Sequence, residues 1–125
     1  MYTVTIRKTF SAAHTITIGG TKETMHGHNF AVEISLEAKE LDGEGVVTDF
    51  REIKGRADAL LRELDHTYLN DLSAFRDLPP TAENIARHIF DLMEGAYPPG
   101  RVRVADVTVW ESETARARYR RDYRG

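Results

Sequence analysis

The spacing of apolar residues changes along the chain from a period of two to a helical period and back, and few folds accommodate that order. Residues 2–10 and 30–38 alternate apolar with polar side chains, which is the pattern expected of half-buried β-strands. Residues 50–64 and 82–93 instead carry apolar side chains every three to four positions, as one face of a helix does. Two strands followed by two helices are therefore predicted for residues 2–93.

The rest of the chain returns to the strand period. Residues 102–110 read as a third strand whose apolar parity slips near Ala105 and Asp106, and a β-bulge at that point restores one buried face. Residues 115–119 form a short last strand, in which alanine and tyrosine alternate with arginine. The order ββααββ predicts an α+β fold, with a four-stranded antiparallel sheet and both helices on one of its faces.

Length and composition describe an ordinary globular chain. Its 125 residues correspond to a single domain spanning 1–125. The hydrophobic fraction of 41% and the charged fraction of 30% exclude a disordered or fibrous protein. No apolar run reaches the length of a membrane span, and residues 1–10 lack the pattern of a signal peptide. We therefore expect no membrane partner and a cytoplasmic location.

The net charge of −3 and a cluster of C-terminal arginines bear on nucleic-acid binding. Arginines interleaved with aromatic residues are one pattern that binds nucleic acid. The acidic overall balance favours other roles, namely protection of a terminal edge strand, neutralisation of acidic patches across a subunit contact, or contact with the phosphates of a substrate. We expect no nucleic-acid partner. The arginines are Arg116, Arg118, Arg120, Arg121 and Arg124.

Cysteine is absent from the chain. This absence excludes disulfides, thiolate zinc sites and cysteine nucleophiles together. No thiolate is offered to a site by this chain or by an identical subunit.

Three of the five histidines form a candidate metal site. His26 and His28 open the second strand at a spacing of two, so an extended backbone points both side chains to one side. His14 follows the first strand, and pairing of the two strands brings it beside them. Three imidazoles without a fourth protein ligand are typical of catalytic zinc, whose open position takes water or substrate. The predicted ligands of Zn²⁺ are thus His14, His26 and His28.

The same histidines also have a structural interpretation. A His-x-His pair occurs in turns where both rings are satisfied by hydrogen bonds, and spacing alone leaves this alternative open. His88 lies in the second predicted helix near the edge of its apolar stripe, and we interpret it as structural.

Asp65-His66 and Glu111 are further candidate site residues. An aspartate beside a histidine can orient the imidazole as a general acid or base. A histidine at a helix C-terminus also interacts favourably with the helix dipole, which is the alternative for His66. Glu111 lies near the end of the third strand, where a lone carboxylate either binds a planar pair of N–H donors or is simply solvated.

Six short motifs are spread over nearly the whole chain. They are FSAAH at 10–14, HGHNF at 26–30, GVVTDF at 45–50, LDHTYLND at 64–71, PTAEN at 80–84 and WES at 110–112. In this order and spacing they resemble the motifs of the 6-pyruvoyltetrahydropterin synthase / 6-carboxytetrahydropterin synthase family. Val46 stands where methionine is usual in that family.

The resemblance implies a tunnelling fold, in which the ββααββ unit assembles into a barrel-shaped trimer and two trimers often stack into a hexamer. It implies zinc, sites between subunits, and a lyase reaction on a reduced pterin such as 7,8-dihydroneopterin triphosphate. By resemblance, Glu111 anchors the pterin ring, and Thr81 and Glu83 lie near the pterin pocket. Asp65 and His66 belong to the proton-transfer machinery. The pathway, whether folate-like, biopterin-like or deazapurine, stays open.

One position departs from the family. Its synthases carry a cysteine base four residues before the first histidine of the H-G-H motif, and Lys22 stands there in this chain. Glu23 is the nearest alternative base, and Lys22 serves as one only if its ammonium group loses its proton. Three interpretations follow: another base with an altered product, an aldol-type cleavage that needs zinc and His66, or a non-catalytic homologue that binds zinc and pterin.

Overall fold

A five-stranded sheet with two helices packed on one face makes up the protein, and this computed structural model describes residues 1–123. The α+β class and the order of the predicted elements are confirmed. The strands are β1 (Tyr2–His14), β2 (Thr17–Ile18), β3 (Thr21–Lys22), β4 (His26–Ala38), β5 (Thr67–Tyr68), β6 (Arg103–Trp110) and β7 (Arg116–Arg120). The helices are α1 (Phe50–Leu61) and α2 (Ala82–Ala96), with 3-10 turns at Leu69–Asp71 and Ser73–Phe75.

The sheet has the strand order β5-β1-β4-β6-β7, which contains one strand more than predicted. β5 runs parallel to β1 beside Ala12 and Ala13, so the sheet is mixed and not purely antiparallel. The expectation of four antiparallel strands is wrong on this point because a strand of two residues is too short to show alternation. A separate hairpin joins β2 to β3 through Gly19 and Gly20, whose positive φ suits a two-residue turn.

The pairing of β1 with β4 determines where the three histidines lie. In this antiparallel register His14 is opposite His26, and Ala12 is opposite His28. The first strand was predicted to end at Phe10, but it continues to His14 because its backbone stays paired with β4 over all 13 residues. The alternation of side chains continues too, so the three histidines share the face that carries the helices.

The predicted bulge is present in β6. The register with β4 shifts between Val104 and Asp106, which makes Ala105 the extra residue. The shift returns the two halves of the strand to one face, where Val104 and Val107 are both fully buried.

Both helices begin at residues that cap a helix well. The Asp49 carboxylate accepts a hydrogen bond from the backbone N–H of Arg51 at 2.8 Å, and the Thr81 hydroxyl accepts one from Asn84 N–H at 3.2 Å. Their apolar faces pack against the sheet and form one core with it. Within residues 1–123, neither helix has the length and apolar character needed to cross a bilayer.

Two stacked aromatic rings connect this core to the histidines. Phe10 and Phe30 are buried, with ring centroids 5.0 Å apart. The Phe30 ring also meets His14 and His28 edge-on, at centroid distances of 5.5 and 5.4 Å. The buried Phe30 ring therefore packs against two of the three histidines, His14 and His28.

A turn between α1 and β5 carries Asp65 and His66. The φ of His66 is 57°, in the left-handed region that residues other than glycine rarely adopt. Its backbone N–H donates to the Ser11 carbonyl at 2.6 Å, and Ser11 N–H donates to the Asp65 carboxylate at 2.9 Å. β1 therefore holds this pair through two hydrogen bonds, beyond the last residue of α1.

The C-terminal arginines pair with acidic side chains of the same chain. Arg118 donates to Asp106 at 2.7 Å, and Arg121 donates to Asp91 at 2.6 Å. These pairs agree with a neutralising role, although the acidic groups lie on this chain and not across a subunit contact. Arg124 lies outside the described residues.

Replacing Phe30 by alanine is expected to lower the free energy of unfolding by about 3–5 kcal/mol, because it removes a buried ring and leaves a cavity. Phe50→Ala is the matched control, since Phe50 is 50% exposed. Its effect is expected to stay within about 0.5 kcal/mol. Urea unfolding followed by circular dichroism measures both, and equal losses for the two variants would contradict the central place of Phe30.

Replacing His66 by glycine is expected to raise the free energy of unfolding by about 0.5–1 kcal/mol. The reason is that glycine relieves a left-handed strain of about 1–2 kcal/mol while losing somewhat more chain entropy. His88→Gly, within α2, is the opposite case and is expected to lower stability by about 1 kcal/mol or more. Thermal unfolding compares them, and a clear loss of stability in His66→Gly contradicts the strain argument.

Candidate metal centre

Three imidazole rings and one carboxylate converge where β1 ends and β4 begins. The ring centroids of His14, His26 and His28 are 4.6–5.1 Å apart. Glu111, just after β6, brings its Oε1 atom within 3.2 Å of His14 Nε2 and 3.4 Å of His28 Nε2. One donor atom from each of the four residues lies within 4.8 Å of the other three.

Backbone carbonyls hold two of the rings from behind. His14 Nδ1 lies 2.8 Å from the Pro80 carbonyl oxygen, and His26 Nδ1 lies 2.8 Å from the Thr24 carbonyl oxygen. A carbonyl oxygen only accepts hydrogen bonds, so each Nδ1 carries the proton and donates it. In the neutral form of such a ring Nε2 is the acceptor, and Nε2 is the nitrogen that faces the cluster.

The bare nitrogens face one another without donors. Nε2 of His14 and Nε2 of His26 are 3.1 Å apart. Two acceptor lone pairs repel at this distance unless a proton or another cation lies between them. The Nε2 atom of His28 is buried and has no hydrogen-bond partner among residues 1–123. Such a buried, unsatisfied atom costs free energy, and a cation at the centre of the cluster removes both costs.

Three of the distances between donor atoms match those around a tetrahedral metal ion. Zinc–nitrogen bonds of about 2.0–2.1 Å set tetrahedral ligand atoms about 3.3 Å apart. The distances of 3.1, 3.2 and 3.4 Å within the cluster lie on either side of this value. Imidazole nitrogen and carboxylate oxygen are also ligand types that zinc accepts. The residues present therefore fit a divalent ion such as zinc.

Burial and charge set the protonation of His28. Loss of hydration is the main cause that lowers the pKa of its imidazole below the usual value. The Glu111 carboxylate raises this pKa, whereas the rings of His14 and His26 lower it. The lowered pKa keeps the ring neutral at neutral pH, which is the form that binds a metal.

The loop before β4 separates the two candidate bases. Glu23 Oε2 lies 3.7 Å from His26 Nε2, at the rim of the cluster. Lys22 lies in β3, where it pairs with Thr17 and lines a different cleft together with Arg76. Of the two side chains, Glu23 is the one beside the histidines.

His66, which lies next to Asp65, borders a cleft that His28 of the cluster also lines. This cleft has a volume of about 440 Å³ and is lined by His28 and His66, with Ser11 and Asn29 between them. His66 Nε2 lies 3.5 Å from Asp65 Oδ2, and the His66 side chain is 82% exposed. The ring is therefore accessible to a molecule that occupies the cleft.

The remaining candidates lie on α2. Thr81 is the N-cap of this helix, and Glu83 is exposed in its first turn. His88 lies farther along, with its ring edge-on to Phe75 at 5.4 Å, and burial lowers its pKa. These contacts agree with a structural interpretation of His88, whereas pterin contacts of Thr81 and Glu83 stay predictions.

Several residues that hold the site were not found from the sequence. Pro80 and Thr24 act through backbone carbonyls, which every residue has, so no side-chain pattern identifies them. Asn70 clamps the residue after His14, because its amide donates to the Thr15 carbonyl at 2.8 Å and its side-chain oxygen accepts from Thr15 N–H at 2.9 Å. Asn70 had a signal, since it belongs to one of the six motifs.

Known proteins with similar sequences process pterins. A sequence profile described as 6-pyruvoyl tetrahydropterin synthase matches residues 3–122. The dihydroneopterin monophosphate aldolase of Pyrococcus furiosus is 35% identical over 105 residues, covering 84% of this chain and 85% of that protein. The 6-carboxy-5,6,7,8-tetrahydropterin synthase of Aquifex aeolicus is 27% identical over 121 residues, covering 78% of this chain and 75% of that protein.

The fold is shared over the full length as well. The solved structure of the Caenorhabditis elegans 6-pyruvoyl tetrahydropterin synthase superimposes with a TM-score of 0.80, covers 98% of both chains and is 24% identical. This likeness shows the fold, and the profile match over nearly the whole chain shows the family. The chain therefore belongs to the 6-pyruvoyl tetrahydropterin synthase family of pterin-processing enzymes.

Proposed function

We propose that the protein is a zinc-dependent lyase that cleaves the side chain of a phosphorylated 7,8-dihydroneopterin by an aldol-type reaction. The observation that carries the proposal is a cluster of three Nε2 atoms with the Glu23 carboxylate beside it, in a chain without cysteine. The similarity to a protein named as a dihydroneopterin monophosphate aldolase supports the same reaction class.

The three histidines are the proposed metal ligands, each through Nε2. A divalent ion bound there supplies Lewis acidity toward the hydroxyl groups of the pterin side chain. Glu111 is a fourth donor in the cluster, but its side chain is 30% exposed and therefore has room to leave. Without it, the three-histidine set keeps one position open for substrate, as catalytic zinc sites do.

The lack of a thiolate favours cleavage that starts at a hydroxyl. A proton on carbon needs a strong base, whereas a hydroxyl polarised by a cation releases its proton to a carboxylate. Glu23 is a carboxylate 3.7 Å from His26, so it suits the second task. An aldol-type cleavage begins with such a hydroxyl proton.

In the proposed step, Glu23 takes the proton of the side-chain hydroxyl at C2′. The oxygen electron pair forms a carbonyl at C2′, the C1′–C2′ bond breaks, and its electron pair moves into the C6=N5 imine of the pterin ring. Protonation at C1′ gives 6-hydroxymethyl-7,8-dihydropterin and a two-carbon aldehyde that keeps the phosphate. His66, which lines the same cleft as His28 and lies 3.5 Å from the Asp65 carboxylate, is the proposed source of that proton.

Recognition of the pterin ring is assigned to Glu111. A carboxylate matches the adjacent N–H donors of the amino-pyrimidinone edge with two charge-assisted hydrogen bonds. Thr81 and Glu83 are proposed to lie near the bound ring, because the Pro80 carbonyl directly before them contacts His14 at 2.8 Å.

We also propose that the protein works as a homo-oligomer, a trimer or a hexamer, with sites between subunits. Within residues 1–123, β1 pairs with β5 only at Ala12 and Ala13, and Ser11 bonds to Asp65 and His66, so residues 2–10 leave one backbone edge open. β7 likewise pairs only with β6 in the part of the chain that the structure describes. Pairing of β7 with β1 of the next copy satisfies both edges and closes a ring.

Protein purified without a polyhistidine tag and supplied with zinc is expected to bind about one ion per chain, as a single tetrahedral site does. His26→Ala removes a ligand and is expected to weaken binding by more than the ~10–100-fold seen when only an outer hydrogen-bond partner is lost. His88→Ala is the matched control and is expected to bind zinc like the wild type. Elemental analysis and chelator competition measure both, and wild-type protein that stays substoichiometric after added zinc contradicts the metal centre.

Glu23→Gln removes the proposed base with little change in shape, and it is expected to lower kcat by about 10²–10⁴-fold, the usual contribution of a general base. Zinc content is expected to stay unchanged. Lys22→Gln tests the other candidate and is expected to leave kcat within a few fold. The assay incubates 7,8-dihydroneopterin triphosphate or monophosphate with each protein and separates the products by chromatography.

The products and the variants distinguish the competing interpretations. A pyruvoyl or carboxy product from the wild type contradicts the aldol-type reaction. Loss of activity in Lys22→Gln, with activity retained in Glu23→Gln, identifies Lys22 and not Glu23 as the base. Binding of zinc and pterin without any product identifies a non-catalytic homologue.

A further inference from the structure

The peptide unit between Pro80 and Thr81 is hydrogen-bonded at both ends. Its carbonyl oxygen, on Pro80, accepts from His14 Nδ1 at 2.8 Å. Its N–H, on Thr81, donates to the Pro79 carbonyl at 2.9 Å, which closes a tight turn centred on Pro80. The direction in which the Pro80 carbonyl points is therefore tied to the Pro79 carbonyl.

Asn84 anchors that carbonyl. Its side-chain Nδ2 donates to the Pro79 oxygen at 2.9 Å, so this oxygen receives two donors, one from Thr81 and one from Asn84. The chain of contacts runs from the Asn84 amide through the two proline carbonyls to the ring of His14. Hydrogen bonds connected in this way polarise and orient one another.

The choice of asparagine here is not explained by helix formation. Asn84 is the third residue of α2, where Thr81 caps the helix and a glutamate would complete a capping box. Asparagine is a weak helix former, and acidic side chains are preferred in a first turn. An acidic residue at this position lacks the amide N–H with which Asn84 donates to the Pro79 carbonyl.

We propose that Asn84 is a positioning residue for the metal centre, which holds the Pro80 carbonyl so that the His14 ring keeps its Nδ1 proton and presents a bare Nε2. This rests on the metal site of the proposed function. His14 is fully buried, so its Nδ1 has no water to replace the Pro80 carbonyl. A displaced carbonyl therefore frees the ring to change tautomer and to turn its proton toward the ion.

Asn84→Asp is the test variant, because it keeps the size of the side chain and suits the first turn of a helix but has no N–H to donate. The melting temperature is expected to change little, because loss of the hydrogen bond to Pro79 is offset by the preference for an acidic side chain in the first turn of a helix. The apparent Kd for zinc is expected to increase about 10-fold or more, as it does when the outer partner of a ligating histidine is lost. The absorption bands of the Co²⁺-loaded protein are expected to shift, because the His14 ring is reoriented.

Asp49→Ala is the matched control at the other helix. It removes the N-cap of α1, whose carboxylate accepts from Arg51 N–H at 2.8 Å and does not belong to the cluster of donor groups. The melting temperature is expected to fall, while the zinc Kd and the Co²⁺ spectrum stay as in the wild type. Asn84→Asp is thus expected to lose metal affinity while its stability is kept, and Asp49→Ala is expected to lose stability while its metal affinity is kept.

Long-range ¹H–¹⁵N spectra of the metal-free proteins report the tautomer of His14 directly. The wild type is expected to show His14 protonated at Nδ1, and Asn84→Asp is expected to show a mixture of tautomers. An unchanged zinc Kd in Asn84→Asp overturns the proposal, and so does a weaker Kd with an unchanged His14 tautomer. If the wild type itself binds no zinc, the proposed function fails, while the metal-free spectra still decide the role of Asn84 toward His14.

Discussion

The pairing of β1 with β4 is the contact on which the candidate site depends. A slip of one residue in an antiparallel pair turns every side chain to the opposite face, so the register decides whether the histidines meet. The stacked rings of Phe10 and Phe30 lock this register, because a slipped strand exposes them to water. The same parity then brings His14 opposite His26. Burial of Phe10 and Phe30, which lie two or four residues from the histidines in the sequence, thus positions the polar ligands.

The site lies at the seam between the sheet and α2, and both sides contribute to it. The sheet supplies the three imidazoles, while the start of α2 supplies the carbonyl that orients His14. A helix start is a well-defined place for this task, because its cap and its first turn have fixed geometry. The proline immediately before the cap further restricts the conformations that the backbone can adopt there. The start of α2 therefore both caps the helix and sets the orientation of a candidate metal ligand.

Among residues 1–123, two buried side-chain polar atoms lack a hydrogen-bond partner, the Tyr97 hydroxyl and the His28 Nε2 of the cluster. His28 Nε2 is buried without a partner, and two bare nitrogens of His14 and His26 lie 3.1 Å apart. Natural chains break such rules mainly at functional sites. The free-energy cost of these unsatisfied nitrogens is offset by the surrounding core and by the hydrogen bonds between the rings and the carbonyls behind them. The cluster is therefore the place where stability and function oppose each other.

The motifs alone were enough to identify the family, the α+β order, the β-bulge and the three histidines, because periodicity and spacing are local properties of a chain. They were not enough for β5, which is too short to show a pattern. They also left Lys22 and Glu23 undecided, since the path of a short hairpin determines which side chain returns to the cluster. The approach of Glu111 to the histidines and the bond between His14 and the Pro80 carbonyl join residues far apart in the sequence. Pairing of β6 with β4 brings Glu111 to the histidines, and packing of α2 on the sheet brings the Pro80 carbonyl to His14. Folding and not residue order therefore settles how the ligands are held.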